Sequence, residues 1–144
     1  GTHWPLEWPL WAQATLALLG RELGHYAIHR YTHERGGLLW RFHSIHHQPG
    51  RLYWLNANRM HVGNLLVDAL TGFVPLMLLG AGREAMTLAG LVVAAMNLVT
   101  HANIDFRAGP LVWVFNLPEN HRWHHLRPEL GPTCNHGDVL VLWD

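Results

Sequence analysis

Residues 62–100 read VGNLLVDALTGFVPLMLLGAGREAMTLAGLVVAAMNLVT, and two apolar runs, 62–80 and 85–100, make up most of this stretch. A helix that crosses a bilayer needs about 20 apolar residues, with a working range of roughly 17–25. The first run meets that length, and the second is slightly short without its flanks. The sequence GAGRE between them is typical of a turn. The stretch therefore predicts a transmembrane hairpin, with two buried helices of a soluble bundle as the alternative.

Two residues interrupt the apolar character of the first run. Pro75 has no backbone N–H, and we expect it to kink this arm of the hairpin. Asp68 places a charge at membrane depth, where ionisable side chains are rare and either face the interior of a bundle or serve a function. We therefore expect Asp68 to face the bundle or to contribute to function.

The sequence outside the hairpin is also mainly helical in character. The run 6–20 predicts the end of a further membrane helix, and Trp4, Trp8 and Trp11 near its start suit an interfacial position or a core. Weak extended character occurs only at 139–142. The predicted fold class is all-α, an integral-membrane helical bundle with its transmembrane hairpin at about 62–100. One domain covers residues 1–144, and the first residue, Gly1, leads us to expect an excised or truncated domain.

Histidine is the second distinctive feature, with 13 residues against 10 Lys plus Arg. Helical residues three or four apart share a face, and most of these histidines follow that spacing. Since a structural zinc site uses four ligands, eight or more imidazoles predict two metal ions, with positions left for oxygen or water. The three clusters are His25-x3-His29-x3-His33, His43-x2-His46-His47 and His121-x2-His124-His125.

Composition argues against several other classes of protein. The net charge is +0, which gives no electrostatic reason to bind nucleic acid. A single cysteine, Cys134, excludes both an intrachain disulfide and a cysteine-rich zinc module. Carboxylate-bridged di-iron bundles repeat a Glu-x2-His pair, and here that pattern occurs once, at Glu22 and His25. We expect the acidic residues near the clusters to orient imidazole N–H groups; these are Glu34, Asp105, Glu119 and Asp138.

The arginines predict how the hairpin is oriented. They flank the hairpin on both sides, whereas its tip carries only Arg83, so the positive-inside rule places both flanks and all three clusters on the cytoplasmic side. His61 and His101 lie just outside the two runs and emerge on the same face. The flanking arginines are Arg30, Arg35, Arg41, Arg51 and Arg59 before the hairpin and Arg107, Arg122 and Arg127 after it.

Several of these segments together resemble the fatty acid hydroxylase / sterol desaturase superfamily. The resemblance runs in order from about His25 to the end of the chain, and it includes the hairpin between the second and third clusters. Three ordered histidine boxes around a membrane hairpin are far more specific than any single box. The matching segments are HRYTHE (29–34), LWRFHSIHH (39–47), NRMH (58–61), HAN (101–103), HRWHH (121–125) and LWD (142–144).

The resemblance implies a membrane-bound non-haem di-iron oxygenase that uses O2 to hydroxylate or desaturate a lipid. It implies two iron ions, for which zinc could substitute, and electrons from a cytochrome b5 or ferredoxin-type donor. The residues that it implies as metal ligands are His29, His33, His43, His46, His47, His61, His101, His121, His124 and His125. Those expected to support the ligands are His25, Asn103, Asp105 and His136.

Two positions depart from the family pattern. His25 stands where the family usually has an aspartate, and His136 stands where an aromatic residue is usual. Neither change removes a histidine from a box. Two alternative functions stay open at this point: a two-zinc membrane hydrolase that uses a metal-bound hydroxide, and a non-catalytic membrane protein that binds metal or haem.

Overall fold

The computed structural model describes residues 3–126 and 134–144, and Arg127 therefore lies outside the described residues. The regular secondary structure of the described part is helical, apart from an isolated antiparallel bridge between Phe115 and Leu140. The all-α prediction is therefore confirmed, and 139–142 forms no strand beyond that bridge. The helices are α1 (Leu10–Arg35), α2 (Gly37–His47), α3 (Val62–Asp68), α4 (Val74–Leu79), α5 (Arg83–Thr100) and α6 (Pro118–His124), with 3-10 turns at Trp54–Asn58 and Gly109–Trp113 and a π-helical segment at Ala69–Phe73.

The two arms of the predicted hairpin are present. Val62–Leu79 and Arg83–Thr100 are each long and apolar enough to cross a bilayer. Gly80, in a left-handed conformation with φ 89°, ends the first arm. Large apolar side chains point away from the protein along both arms; Leu78, for example, is 82% exposed. An apolar surface of this extent is expected of a protein that faces lipid.

The first arm contains a π-helical segment immediately before Pro75. The N–H of Val74 bonds to the carbonyl of Ala69, five residues earlier. Pro75 has no N–H to offer the carbonyl of Thr71, four residues earlier, so the regular helical pattern cannot run through this point. The kink predicted at Pro75 therefore takes the form of a wider helical turn just before it.

Helix α1 is the element on which both arms pack, whereas the arms make few contacts with each other. Its glycines allow close approach: a Cβ on Gly24 would lie 2.2 Å from the carbonyl oxygen of Thr71. The predicted apolar run 6–20 is not a separate segment, because α1 continues unbroken through the first histidine box. α1 is not among the helices apolar enough to span a bilayer.

The N-terminal tryptophans divide between core and surface. Trp4 is buried, and its indole N–H donates to Gln13 Oε1 at 3.0 Å. It packs in the core cluster with Ala17, Leu76 and Ala89. Trp8 and Trp11 are exposed. The interfacial position predicted for Trp4 is therefore wrong, and the alternative of a core residue is confirmed for it.

Replacing Gly24 by alanine is expected to destabilise the contact between α1 and the first arm, because backbone atoms cannot yield as a flexible side chain can. We expect a lower midpoint of thermal unfolding in detergent. Gly90→Ala is the matched control, since its Cβ would meet only Phe73 at 3.9 Å, and alanine favours a helix by about 1 kcal/mol over glycine. Equal midpoints for the two variants would contradict this packing argument.

Candidate metal centre

Nine histidines from distant parts of the chain form two sets. In each set, one ring nitrogen from every member lies within 4.8 Å of the others. Helices α1, α2 and α6 each supply one box, and His101 follows the end of α5. The five-histidine set is His29, His33, His43, His47 and His124, and the four-histidine set is His46, His101, His121 and His125.

The spacing of the facing nitrogens fits a metal ion. Ligands bonded at about 2.1 Å lie about 3.0 Å apart when they subtend a right angle at the metal, and about 3.4 Å apart in a tetrahedron. The observed contacts match the first value. The Nε2 to Nε2 distances are 2.9 Å for His29–His43, and 3.0 Å for His43–His47, His46–His101, His101–His121 and His121–His125.

Hydrogen bonds on the outer side of the rings fix which nitrogen carries the proton. His29 Nδ1 donates to the carbonyl of His136 at 2.8 Å, and His43 Nδ1 donates to Asn64 Oδ1 at 3.0 Å. Both Nε2 atoms then carry lone pairs, yet they face each other at 2.9 Å with no proton between them. A bound cation removes this repulsion, so the donor set fits a metal.

Other ring nitrogens are held in the same way. The Nδ1 atoms of His46, His101 and His124 donate to the carbonyls of Asn56 at 3.2 Å, Asn97 at 2.8 Å and Cys134 at 2.9 Å, respectively. The Nε2 atoms of His33 and His124 are buried and have no hydrogen-bond partner among the described residues. Such orphaned nitrogens are expected at a metal site.

Burial keeps the box histidines in the form that binds metal. It lowers the pKa of His43 to about 4. Burial, followed by repulsion from neighbouring imidazoles, lowers the pKa of His46 and of His124 well below the ordinary value. The pKa values of His47 and His125 are lowered for the same reasons. At neutral pH these rings are therefore neutral, as a metal ligand must be.

The acidic residues do not act as predicted. Glu34 bonds to Arg30, and Glu119 accepts from the backbone N–H of Ala108. Asp138 bonds to Arg21 rather than to a box histidine. The ring N–H groups donate instead to backbone carbonyls and to the amide oxygen of Asn64. The prediction that carboxylates orient the imidazoles is therefore wrong for the contacts described.

Three further histidines predicted for the site lie around it in different ways. His61 is in neither set: its Nδ1 accepts from the N–H of Gly63 at 2.9 Å, and its ring stacks on Phe42. His25 lies beside His29, with ring centroids 5.0 Å apart. His136 contributes its backbone carbonyl to His29.

The two polar residues predicted to support the ligands lie at the surface. Asn103 borders a surface depression with His125. Asp105 is exposed and borders a separate depression with Arg122. Neither makes a side-chain hydrogen bond to a box histidine among the described contacts.

The two sets contact each other through two stacked pairs of rings, His47–His125 and His124–His121. His47 of the five-histidine set and His125 of the four-histidine set lie with centroids 4.2 Å apart and planes at 20°. Within the described residues, neither set includes a carboxylate. The rings of His47 and His125 therefore form a direct contact between the two candidate metal positions.

A buried ionic cluster anchors the segment that completes the site. Glu22 is 0% exposed; its Oε2 accepts from the N–H groups of Val139 and Leu140 at 2.8 and 3.0 Å. Arg21 Nη1 donates to Glu22 Oε1 and to Asp138. These contacts hold the chain near the carbonyls that His29 and His124 use. No such role could be predicted for Glu22, because two of its three partners are backbone N–H groups.

A cavity of about 430 Å³ connects the histidines with the hairpin. It occupies the space between the two arms, where they make few contacts with each other. One stripe of α5 follows its wall through Gly90, Val93 and Asn97, and His101 continues it just after the end of the helix. Its lining includes members of both sets: His29, His43, His46, His101 and His121.

Comparison with known proteins finds one matching family model and several similar proteins. Residues 14–144 match the family model described as fatty acid hydroxylase. The chain is 43% identical over 141 residues to the ornithine lipid hydroxylase OlsE of Rhizobium tropici, covering 98% of this chain and 42% of that protein. It is 30% identical over 148 residues to alkylglycerol monooxygenase of Danio rerio, covering 98% and 30%. The chain thus spans less than half the length of these relatives, and no solved structure matches it significantly.

Proposed function

This chain belongs to the fatty acid hydroxylase family, and from that premise we propose that it forms the di-iron centre of a membrane-bound enzyme that uses O2 to hydroxylate or desaturate a lipid. The observation that supports this most is the cavity between the hairpin arms, which is bordered by members of both histidine sets. By their names, the two relatives act on ornithine lipids and on alkylglycerols. We propose a lipid substrate for this chain as well.

The two histidine sets would hold one iron ion each, through five and four neutral imidazole nitrogens. Bound iron supplies the capacity to bind and reduce O2, which the side chains lack. Hydroxylation replaces a C–H bond with C–O–H; the second oxygen atom leaves as water, and the external donor and solvent supply two electrons and two protons. The chain itself keeps the imidazoles neutral. Hydrogen bonds from their Nδ1 atoms to fixed acceptors hold the rings in position.

The hairpin would deliver the substrate. Because its arms both pack on α1 and leave a gap between them, a lipid can reach the cavity sideways from the bilayer. Phe73 and Val93 on the cavity wall would hold an acyl segment and keep water away from the reacting carbon. We propose that the histidine sets lie at the cytoplasmic end, as the arginine distribution predicts.

The electron donor would be a soluble carrier of the cytochrome b5 or ferredoxin type. His125 is the set member that borders a surface depression, and Arg51 and Arg122 lie beside it. Arginines next to a metal ligand favour the approach of an acidic partner. The rival two-zinc hydrolase has less support, because neither described set includes a carboxylate.

Lipid analysis of cells with and without the full-length protein tests the proposal. We expect an O2-dependent lipid product heavier by about 16 Da, or lighter by about 2 Da for desaturation. Growth under ¹⁸O2 should label the heavier product. Metal analysis of the purified protein should give iron at about two ions per chain. Product formation without O2, in protein that holds zinc, would refute the oxygenase and favour hydrolysis.

A further inference from the structure

The cavity between the arms has a polar wall that the metal ligands do not provide. Arg21, Asp68 and Asp138 line it together with the histidines. The side chains of Arg21 and Asp138 are 7% and 8% exposed, and that of Asp68 is 21% exposed. Charged groups so far removed from solvent need partners, and at membrane depth they mark functional positions.

Asp68 is the most weakly paired of the three charged groups on this wall. One guanidinium, that of Arg21, bonds to both Glu22 and Asp138. Asp68 has no arginine partner among the described contacts. Its Oδ2 accepts from Asn64 Nδ2 at 2.8 Å, and its Oδ1 lies 3.4 Å from His25 Nδ1, which is an ion-pair distance when that ring is protonated but is longer than a normal hydrogen bond. A carboxylate can accept about four hydrogen bonds, so Asp68 keeps acceptor capacity next to the cavity.

The polar wall lies between the histidines and the apolar end of the cavity. A helix rises about 1.5 Å per residue, so His25 and Arg21 lie about 6 and 12 Å from His29 along α1. On α5, Asn97 lies about 6 Å from His101 along the axis, and Gly90 about 16 Å. A substrate that reaches the histidines therefore places its leading atoms beside charged and polar groups and its trailing atoms beside apolar ones.

We propose that the cavity takes a lipid with its polar part foremost, and that the oxidised carbon lies in or next to a group that donates hydrogen bonds to Asp68, such as an ammonium or a hydroxyl. This inference rests on the proposed function. A plain hydrocarbon segment at the same place would exclude water from the Asp68 carboxylate and add no hydrogen bond to the one it accepts from Asn64, which is unfavourable. The acyl chains would extend past Phe73 and Gly90 toward the bilayer.

The position of the added oxygen tests the inference separately from the function. Cells that carry the full-length protein are grown under ¹⁸O2, and tandem mass spectrometry assigns the label to a fragment of the oxidised lipid. We expect the label in the headgroup or in the carbons joined directly to it. Label far along an acyl chain would overturn this inference and leave the proposed function intact. If no lipid were labelled, both would fail.

Asp68→Asn tests the residue itself, with Glu84→Gln, an exposed carboxylate at the hairpin tip, as the matched control. The introduced amide oxygen can still accept from Asn64, so both variants should retain the metal content and melting temperature of the wild-type protein. We expect the KM of Asp68→Asn to rise about tenfold, the effect of losing one charged hydrogen bond, with a smaller change in kcat. The control should match wild type.

The identity of the donor group follows from the choice of lipid. Purified Asp68→Asn holoenzyme is assayed with a lipid whose headgroup bears an ammonium and with one that bears only hydroxyls. A rise in KM confined to the first points to an ammonium, and a rise confined to the second points to a hydroxyl. An unchanged KM with both lipids would overturn the inference. So would a loss of metal in proportion to activity, because Asp68 would then serve His43 through Asn64.

Discussion

Alanine at His124 or at His46 is expected to remove one metal ion per chain and to abolish lipid oxidation. His124 belongs to the five-histidine set and His46 to the four-histidine set. Each ring is buried, is held on its Nδ1 by a backbone carbonyl, and lies beside other members of its set. Loss of a ligand leaves a buried gap that no neighbouring side chain fills. We expect activity to fall by at least about 10³-fold, since both ions act as one unit.

Metal analysis and product assays on the same preparations check this prediction. His61→Ala is the control, because His61 lies outside both sets and contacts Gly63 and Phe42 instead. It should retain both ions. Full metal content in His124→Ala, or turnover equal to that of the wild-type protein, would show that the sets do not hold the catalytic metals. Loss of an ion in His61→Ala would show that His61 is a metal ligand, as the sequence predicted.

Replacing Glu22 by alanine is expected to have the second largest effect, on stability. The change leaves Arg21 without one of its two buried carboxylate partners, and it leaves the N–H groups of Val139 and Leu140 without their acceptor. Breaking a buried ion pair in this way costs about 3–5 kcal/mol. We expect the midpoint of thermal unfolding in detergent to fall accordingly.

The metal content of the Glu22→Ala protein offers a second readout. Once the segment near Val139 is loosened, the five-histidine set should lose metal before the four-histidine set, because His29 and His124 use carbonyls from that segment. Glu34→Ala is the control: Glu34 also bonds to an arginine, but at an exposed position, where ion pairs contribute little. An unchanged melting temperature in Glu22→Ala would contradict the anchoring role.

The hairpin and the meeting of the boxes could be predicted, because both depend on side-chain spacing. Apolar length predicts Val62–Leu79 and Arg83–Thr100 directly. Helical periodicity puts the imidazoles of each box on one face, and nine of the ten histidines predicted as ligands do come together in the two sets. That they bind iron stays a prediction. His61 lies near the sets but belongs to neither, because it caps the start of α3. From the sequence alone, a histidine that caps a helix cannot be told from one that binds metal.

The groups that hold the rings in place could not be predicted in the same way. Most are backbone carbonyls, and every residue has one, so no residue type marks them. Asn64 is the exception: an amide inside an apolar run is itself a signal that a buried polar partner exists. The π-helical segment at Ala69–Phe73 could not be predicted either, because Pro75 indicates a break in the helix but not the form of that break.

The contact between His29 and the carbonyl of His136, 107 residues later, sets the order of events during biogenesis. While the ribosome is still making the hairpin, α1 is already in place, but the carbonyls that fix its imidazoles do not yet exist. If the sets hold metal as proposed, the hairpin arms can therefore insert before the five-histidine set can stably hold its ion. Under the proposed function, metal loading of that set has to follow synthesis of residues 134–136, so we expect a nascent chain stalled earlier to be inert.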